Sequence, residues 1–137
     1  MLRRRTRPVH VLVAEDDADV RSQLALGLRQ EGYRVLEARD GADLLDLIGA
    51  WYFPGTRAAP IDLVISDIRM PGQSGLEVLS ALGRLSRRIP VILITGYPDE
   101  ETRVRARELG AAALLVKPFG LSDLKAVVAR VLRERAP

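Results

Sequence analysis

The string VISDIRMPGQSG, starting at Val64, ends an apolar run on a carboxylate, Asp67, and then turns through Met-Pro-Gly. A carboxylate at the end of a run that reads as buried is costly unless a partner offsets it. The chain holds three groups of candidates, each closing an apolar run of its own. Acids stand together at Glu15, Asp16 and Asp17, a hydroxyl and a glycine at Thr95 and Gly96, and a cation at Lys117, ahead of Pro118. Singly, each has a plainer explanation: Asp17 as a helix N-cap, Thr95 as a structural hydroxyl, Lys117 as a solvated cation, Asp67 as a turn residue. Together they describe one chemistry. Carboxylates from two strands approach one another only with raised pKa values or with a cation between them. A set of oxygen donors selects a hard cation, and few protein ligands with room for water suit Mg²⁺. Asp67 is therefore expected to be offset by a metal ion and by Lys117.

The elements that would position these groups follow from the pattern of apolar residues. Five short runs, at 9–14, 33–38, 61–66, 90–95 and 112–116, are mostly continuous and β-branched. That is the pattern of parallel strands covered on both faces. Helical patterns lie between and after them. Val20, Leu24 and Leu28 form a stripe ended by Gly32; residues 42–50 follow the Asp40-Gly41 turn; Ser74 and Glu77 form a capping box; residues 99–109 are closed by Gly110; Leu124, Val127, Val128 and Val131 stripe the last. Five β/α units in succession predict an α/β fold, a doubly wound parallel sheet. In such a sheet the chemistry sits at the carboxyl ends of the strands, where Asp67, Thr95, Lys117 and the acidic triplet all fall.

Composition excludes several classes. At 137 residues one domain is expected, and 47% hydrophobic residues suffice for a core. No apolar run approaches the roughly 20 residues of a membrane span, and the basic N-terminus lacks an apolar signal segment. With no cysteine, disulfides and thiolate metal sites are absent, which fits a cytoplasmic protein. The net charge of +3 is more than accounted for by Arg3, Arg4, Arg5 and Arg7. Residues 1–8 therefore read as a basic tail ahead of a slightly acidic domain over 9–134, and nucleic-acid binding is disfavoured. The segment 51–60 is long for a connection, and Trp51, Tyr52 and Phe53 are expected to close the bottom of the core beneath it. His10, the single histidine, reads as a strand-edge residue.

VLVAEDD, DLVISDIRMPGQSG, ILITG and LLVKPF stand in this order from residue 11 to residue 119. With them the chain resembles the receiver domains of two-component response regulators, over essentially its whole length. The resemblance implies a flavodoxin-like (βα)5 fold with strand order 2-1-3-4-5. It implies an aspartyl-phosphate switch rather than a turnover enzyme, charged by a sensor histidine kinase or a histidine phosphotransfer protein and read by a downstream effector or a second copy of the chain. Asp67 is then the phospho-acceptor. Family members place an arginine five residues after the second acid of a pair, so Arg21 selects Glu15 and Asp16 and leaves Asp17 outside. Asp16, Asp67 and the backbone carbonyl of Arg69 would hold Mg²⁺, with Glu15 acting through a metal-bound water. Thr95 and Lys117 would contact the phosphoryl group, Lys117 held by a cis peptide to Pro118, with Gly96 leaving room beside Thr95.

The chain departs from the family pattern at Leu114, where an aromatic residue is usual, and in the length of the 51–60 connection. Positions that tune dephosphorylation in the family carry Arg69 and Tyr97. A scaffold that is never phosphorylated would not need this set of five residues. A flavin-binding flavodoxin-like protein would need a hydroxyl- and glycine-rich loop where EDDADV stands, and a haloacid-dehalogenase-like phosphatase a second aspartate where Arg69 stands.

Overall fold

The computed structural model describes residues 7–53, 55, 60–85 and 88–135. Five strands and five helices alternate: β1 His10–Ala14, α1 Ala18–Gln30, β2 Arg34–Ala38, α2 Gly41–Tyr52, β3 Leu63–Asp67, α3 Gly75–Leu82, β4 Val91–Thr95, α4 Glu100–Glu108, β5 Ala113–Val116 and α5 Leu121–Arg135. All strand pairs are parallel, in the order β2-β1-β3-β4-β5. This is the (βα)5 sheet expected from the sequence.

Successive strand residues face opposite sides, so the apolar runs feed two cores. Val11, Val13, Leu63, Ile65, Ile92 and Ile94 pack with Leu24 and Leu28 of α1 and Leu124, Val128 and Val131 of α5. Leu12, Val64 and Leu93 pack on the other side with Leu44 and Ile48 of α2, Val78 and Leu82 of α3 and Ala106 of α4. Full burial holds for β3 and β4; the edge strands β2 and β5 are only partly covered. Arg34 and Leu36 face solvent on β2, because an edge strand has a neighbour on one side only.

Helix starts follow local chemistry. Asp17 caps α1, accepting from the amides of Asp19 and Val20. Ser74 and Glu77 complete the capping box of α3, and Asp99 caps α4 through the Thr102 amide. The second helix differs from the expectation. It runs through Trp51 and Tyr52, because Trp51 continues the buried stripe of Leu44 and Ile48. Trp51 is buried and Tyr52 half-buried, but Phe53, the first residue past the helix, is 67% exposed and closes nothing. The rest of the expected loop lies largely outside the described residues.

Candidate functional site

The sheet register builds the site as a staircase. Ala14 is level with Ser66, so the next residues, Glu15 and Asp67, meet beyond the strand ends. Asp67 is level with Ile94, which places Thr95 one step further. Thr95 is level with Val116, which presents Lys117; the Lys117 amide donates to the Thr95 carbonyl at 2.8 Å. Residues from four strand ends thus share one rim, as the order β1-β3-β4-β5 requires.

Asp67, Glu15 and Thr95 are all buried. The Lys117 ammonium donates to Asp67 Oδ2 at 3.0 Å and to Glu15 Oε1 at 3.4 Å. One cation therefore serves two buried carboxylates. Burial, which disfavours the charged form, pushes the Glu15 carboxyl up to about 7, and the charge of Asp67 adds to the effect. For Lys117, burial acts downward but is outweighed by Asp67 and Glu15, so its pKa stands above the usual value. The Lys117–Pro118 peptide is cis, as the resemblance implied.

Carboxylate oxygens of Glu15, Asp16 and Asp67 lie within 4.8 Å of one another. Asp16 is exposed, and its carboxylate makes no hydrogen bond or ion pair among the described residues. Three clustered acids, two of them sharing one lysine, offer only oxygen, which is what a hard divalent ion needs. Asp17 belongs elsewhere, its carboxylate being committed to the N-cap of α1. Its amide instead donates to Glu15 Oε2 at 3.1 Å.

Three features add to the sequence reading. Arg21, read there for its spacing alone, reaches the peptide ahead of Asp16. Its guanidinium donates to the backbone carbonyl of Glu15 at 2.7 Å and pairs with Glu37 of β2 at 3.3 Å. At Gly96 a Cβ would meet no protein atom within 4 Å, so packing within the chain does not require that glycine. The glycine that is needed is Gly75. A Cβ at Gly75 would lie 2.5 Å from the Asp67 carbonyl and 2.9 Å from Ile68 Cα, so α3 starts hard against the backbone that carries Asp67. The sequence held a signal for this only in the glycine following the capping Ser74.

The flanking loops meet above the rim. Arg69 lies over the ring of Tyr97 at 3.9 Å, and Tyr97 is 60% exposed. The Tyr97 amide donates to Thr95 Oγ1 at 2.9 Å, which fixes the hydroxyl oxygen and leaves its proton to donate elsewhere. Leu114 is half-buried against the core shared with α2, α3 and α4.

The chain is similar to known proteins. The family model described as response regulator receiver domain matches residues 11–129. The transcriptional regulatory protein PdtaR of Mycobacterium tuberculosis is 40% identical over 119 residues, covering 85% of this chain and 53% of that protein. The phosphate regulon transcriptional regulatory protein PhoB of Klebsiella pneumoniae is 34% identical over 130 residues, covering 93% of this chain and 53% of that protein. The chain thus spans about half the length of these curated relatives. Among solved structures, the non-phosphorylated HemR receiver domain of Leptospira biflexa superposes with a TM-score of 0.81 at 29% identity, covering 96% of this chain and 98% of that one. The chemotaxis response regulator CheY4 of Vibrio cholerae gives 0.79 at 28% identity, covering 91% of this chain and 99% of that one.

Proposed function

This chain belongs to the response regulator receiver domains, and from that premise we propose that Asp67 is the residue that accepts the phosphoryl group. The observation that carries the reading is the pair of buried carboxylates, Asp67 and Glu15, held at a strand end by a single lysine. Lys117 engages Oδ2 of Asp67, which leaves Oδ1 as the oxygen the lysine does not hold. Oδ1 is the nucleophile. It attacks phosphorus in line, a P–O bond forms, the P–N bond to a donor histidine breaks, and the electron pair returns to the donor imidazole. Lys117 then pairs with the phosphoryl oxygens, and the Thr95 hydroxyl donates to them. Glu15, Asp16, Asp67 and the Arg69 carbonyl would hold Mg²⁺, whose charge would offset the acids and polarise the phosphoryl oxygens.

The donor is read as a sensor histidine kinase or a histidine phosphotransfer protein in the cytoplasm, and the output as a contact with a downstream effector or a second copy of the chain. The receiver unit is taken as residues 9–134, with 1–8 ahead of it. To test the reading, the protein is incubated with acetyl phosphate and Mg²⁺ and weighed intact. One added phosphoryl group is expected on the wild type and none on Asp67→Asn. Full labelling of the variant would overturn the assignment.

A further inference from the structure

Asp16 poses a problem that the side chains around it do not solve. Glu15 is fixed at its carboxylate by Lys117 and by the Asp17 amide. Asp67 is fixed by Lys117, and its backbone is braced by Gly75. Asp16 has neither kind of restraint, so its direction is set by the peptide that precedes it. That peptide has one side-chain anchor among the described residues: Arg21 Nη1 donates to the Glu15 carbonyl at 2.7 Å, within ideal hydrogen-bond range. Arg21 is itself held. Its Nε pairs with Glu37 Oε1 at 3.3 Å, while Arg29 takes Glu37 Oε2 at 3.2 Å and the Val35 carbonyl at 2.9 Å. The Arg21 side chain is only 14% exposed, which makes it an interior group of this rim.

We propose that Arg21 is a positioning residue for the metal site: it locks the Glu15–Asp16 peptide so that the Asp16 carboxylate faces Glu15 and Asp67, and Glu37 orients it for that task. The inference rests on the metal-binding reading above. The physical reason is economy of ordering. An exposed carboxylate must lose both backbone and side-chain freedom when an ion binds, and a peptide already fixed removes the backbone share of that loss. Groups that orient metal ligands typically contribute 10- to 100-fold in affinity.

Charge alone predicts the opposite. Arg21 is a cation beside an acidic cluster, so by Coulomb's law its removal strengthens cation binding, and its replacement by lysine leaves binding unchanged. The test titrates MgCl₂ into the purified chain by calorimetry, with Arg21→Met and Arg21→Lys compared with wild type. About tenfold weaker binding is expected for Arg21→Met. Arg21→Lys retains the charge but loses the planar group that bonds Glu37 and the Glu15 carbonyl at once, and is expected to bind several-fold weaker. Hydrogen exchange in metal-free protein gives a second readout, with faster exchange expected at the amides of Asp16 and Asp17 in both variants. If Arg21→Met does not fold, Arg21→Lys and the isosteric Glu37→Gln carry the test. Variants that bind Mg²⁺ as tightly as wild type or tighter overturn this inference alone. A wild type that takes up no Mg²⁺ overturns the reading of the site as well.

Discussion

Strand β3 has a buried aspartate at each end, and the two are treated in opposite ways. Asp62, just before the strand, receives a bidentate contact from Arg7 at 2.8 and 2.9 Å, the His10 amide at 2.8 Å and Arg135 at 3.1 Å. Burial acts to raise its pKa, but these donors outweigh burial and hold the carboxyl at about 2. At the other end, Asp67 shares one lysine with Glu15, and Glu15 is driven up to about 7. One end has more cations than acids, and the other more acids than cations. The satisfied end fastens the chain: Arg7 precedes β1 and Arg135 ends α5, so one carboxylate holds the first and last of the described residues together. The unsatisfied end gathers acids that one lysine does not offset, the excess of negative charge that the proposed metal site would call for.

The comparison breaks most visibly in stability. Breaking a buried ion pair by removing one partner costs about 3–5 kcal/mol. Arg7 and Arg135 keep partial access to water, which places Asp62→Asn at the low end, about 3 kcal/mol, by denaturant titration. Asp67→Asn removes one of two acids competing for Lys117, so the metal-free protein should be as stable as wild type or more stable. Phosphorylation should show the reverse pattern, retained in Asp62→Asn and lost in Asp67→Asn. Equal destabilisation by the two changes would erase the distinction between the ends.

A second contrast sets two glycines of the functional end against each other. At Gly75 the atoms a Cβ would meet are backbone, which cannot swing aside. Gly75→Ala should cost about 2 kcal/mol, the usual range for overpacking, and slow labelling of Asp67 by acetyl phosphate several-fold. Gly96→Ala meets open space and should change stability by less than about 0.5 kcal/mol. A harmless Gly75→Ala would remove the brace assigned to α3.

What the sequence revealed and what it hid divide along the same line. The strands were legible because continuous apolar runs mark them. The acidic pair, Asp67, Thr95 and Lys117 were legible because each ends such a run. The Asp62 clasp was not. Its partners lie 55 and 73 residues away, and Arg7 read as part of a tail. Arg21 was noticed for its spacing, yet its target proved to be a carbonyl, which every residue has. The role of Gly75 depends on how α3 closes on β3, a contact between elements that no local pattern encodes. Helix α2 was drawn two residues short at its C-terminus, because WYF followed by Pro-Gly looks like a loop until Trp51 is seen on the buried stripe.

A smaller effect tests the satisfied end through pH. Asp62 has a folded pKa of about 2 against a usual value near 3.8. Between these values the unfolded chain takes up the proton first, so falling pH favours unfolding. The contribution of Asp62 is therefore present above about pH 4 and lost as pH falls through about 2. The stability difference between wild type and Asp62→Asn should hold constant from pH 6 to pH 4 and shrink between pH 4 and pH 2. A difference that grows on acidification would contradict the depressed value.

The subtlest expectation concerns how charge at the unsatisfied end reaches the surface. Leu114 stands where the family resemblance implied an aromatic ring, and it sits half-buried in a packed core. The Thr95 oxygen already holds the Tyr97 amide, and its proton remains to donate to a phosphoryl oxygen. Pulling Thr95 therefore pulls the loop that leads into α4. That loop is also tied to the segment after Asp67, because Arg69 stacks on Tyr97; the Asp99 carboxyl, the N-cap of α4, is held below its usual value chiefly by hydrogen bonds from Thr102, with Arg69 adding a smaller attraction. The helix itself is lightly held. Ala106 is its one buried residue, with Arg103, Arg105 and Arg107 facing solvent. Elements with few buried contacts open at the lowest free energy, and a switch needs such an element. Adding beryllofluoride and Mg²⁺, which mimic the phosphorylated state, should change hydrogen-exchange protection over residues 96–109 while α1 and α5 keep theirs. The side chain of Leu114 should keep one rotamer by methyl NMR. Protection changes confined to residues 15–16 and 67–69 would mean that the loop and α4 do not carry the signal.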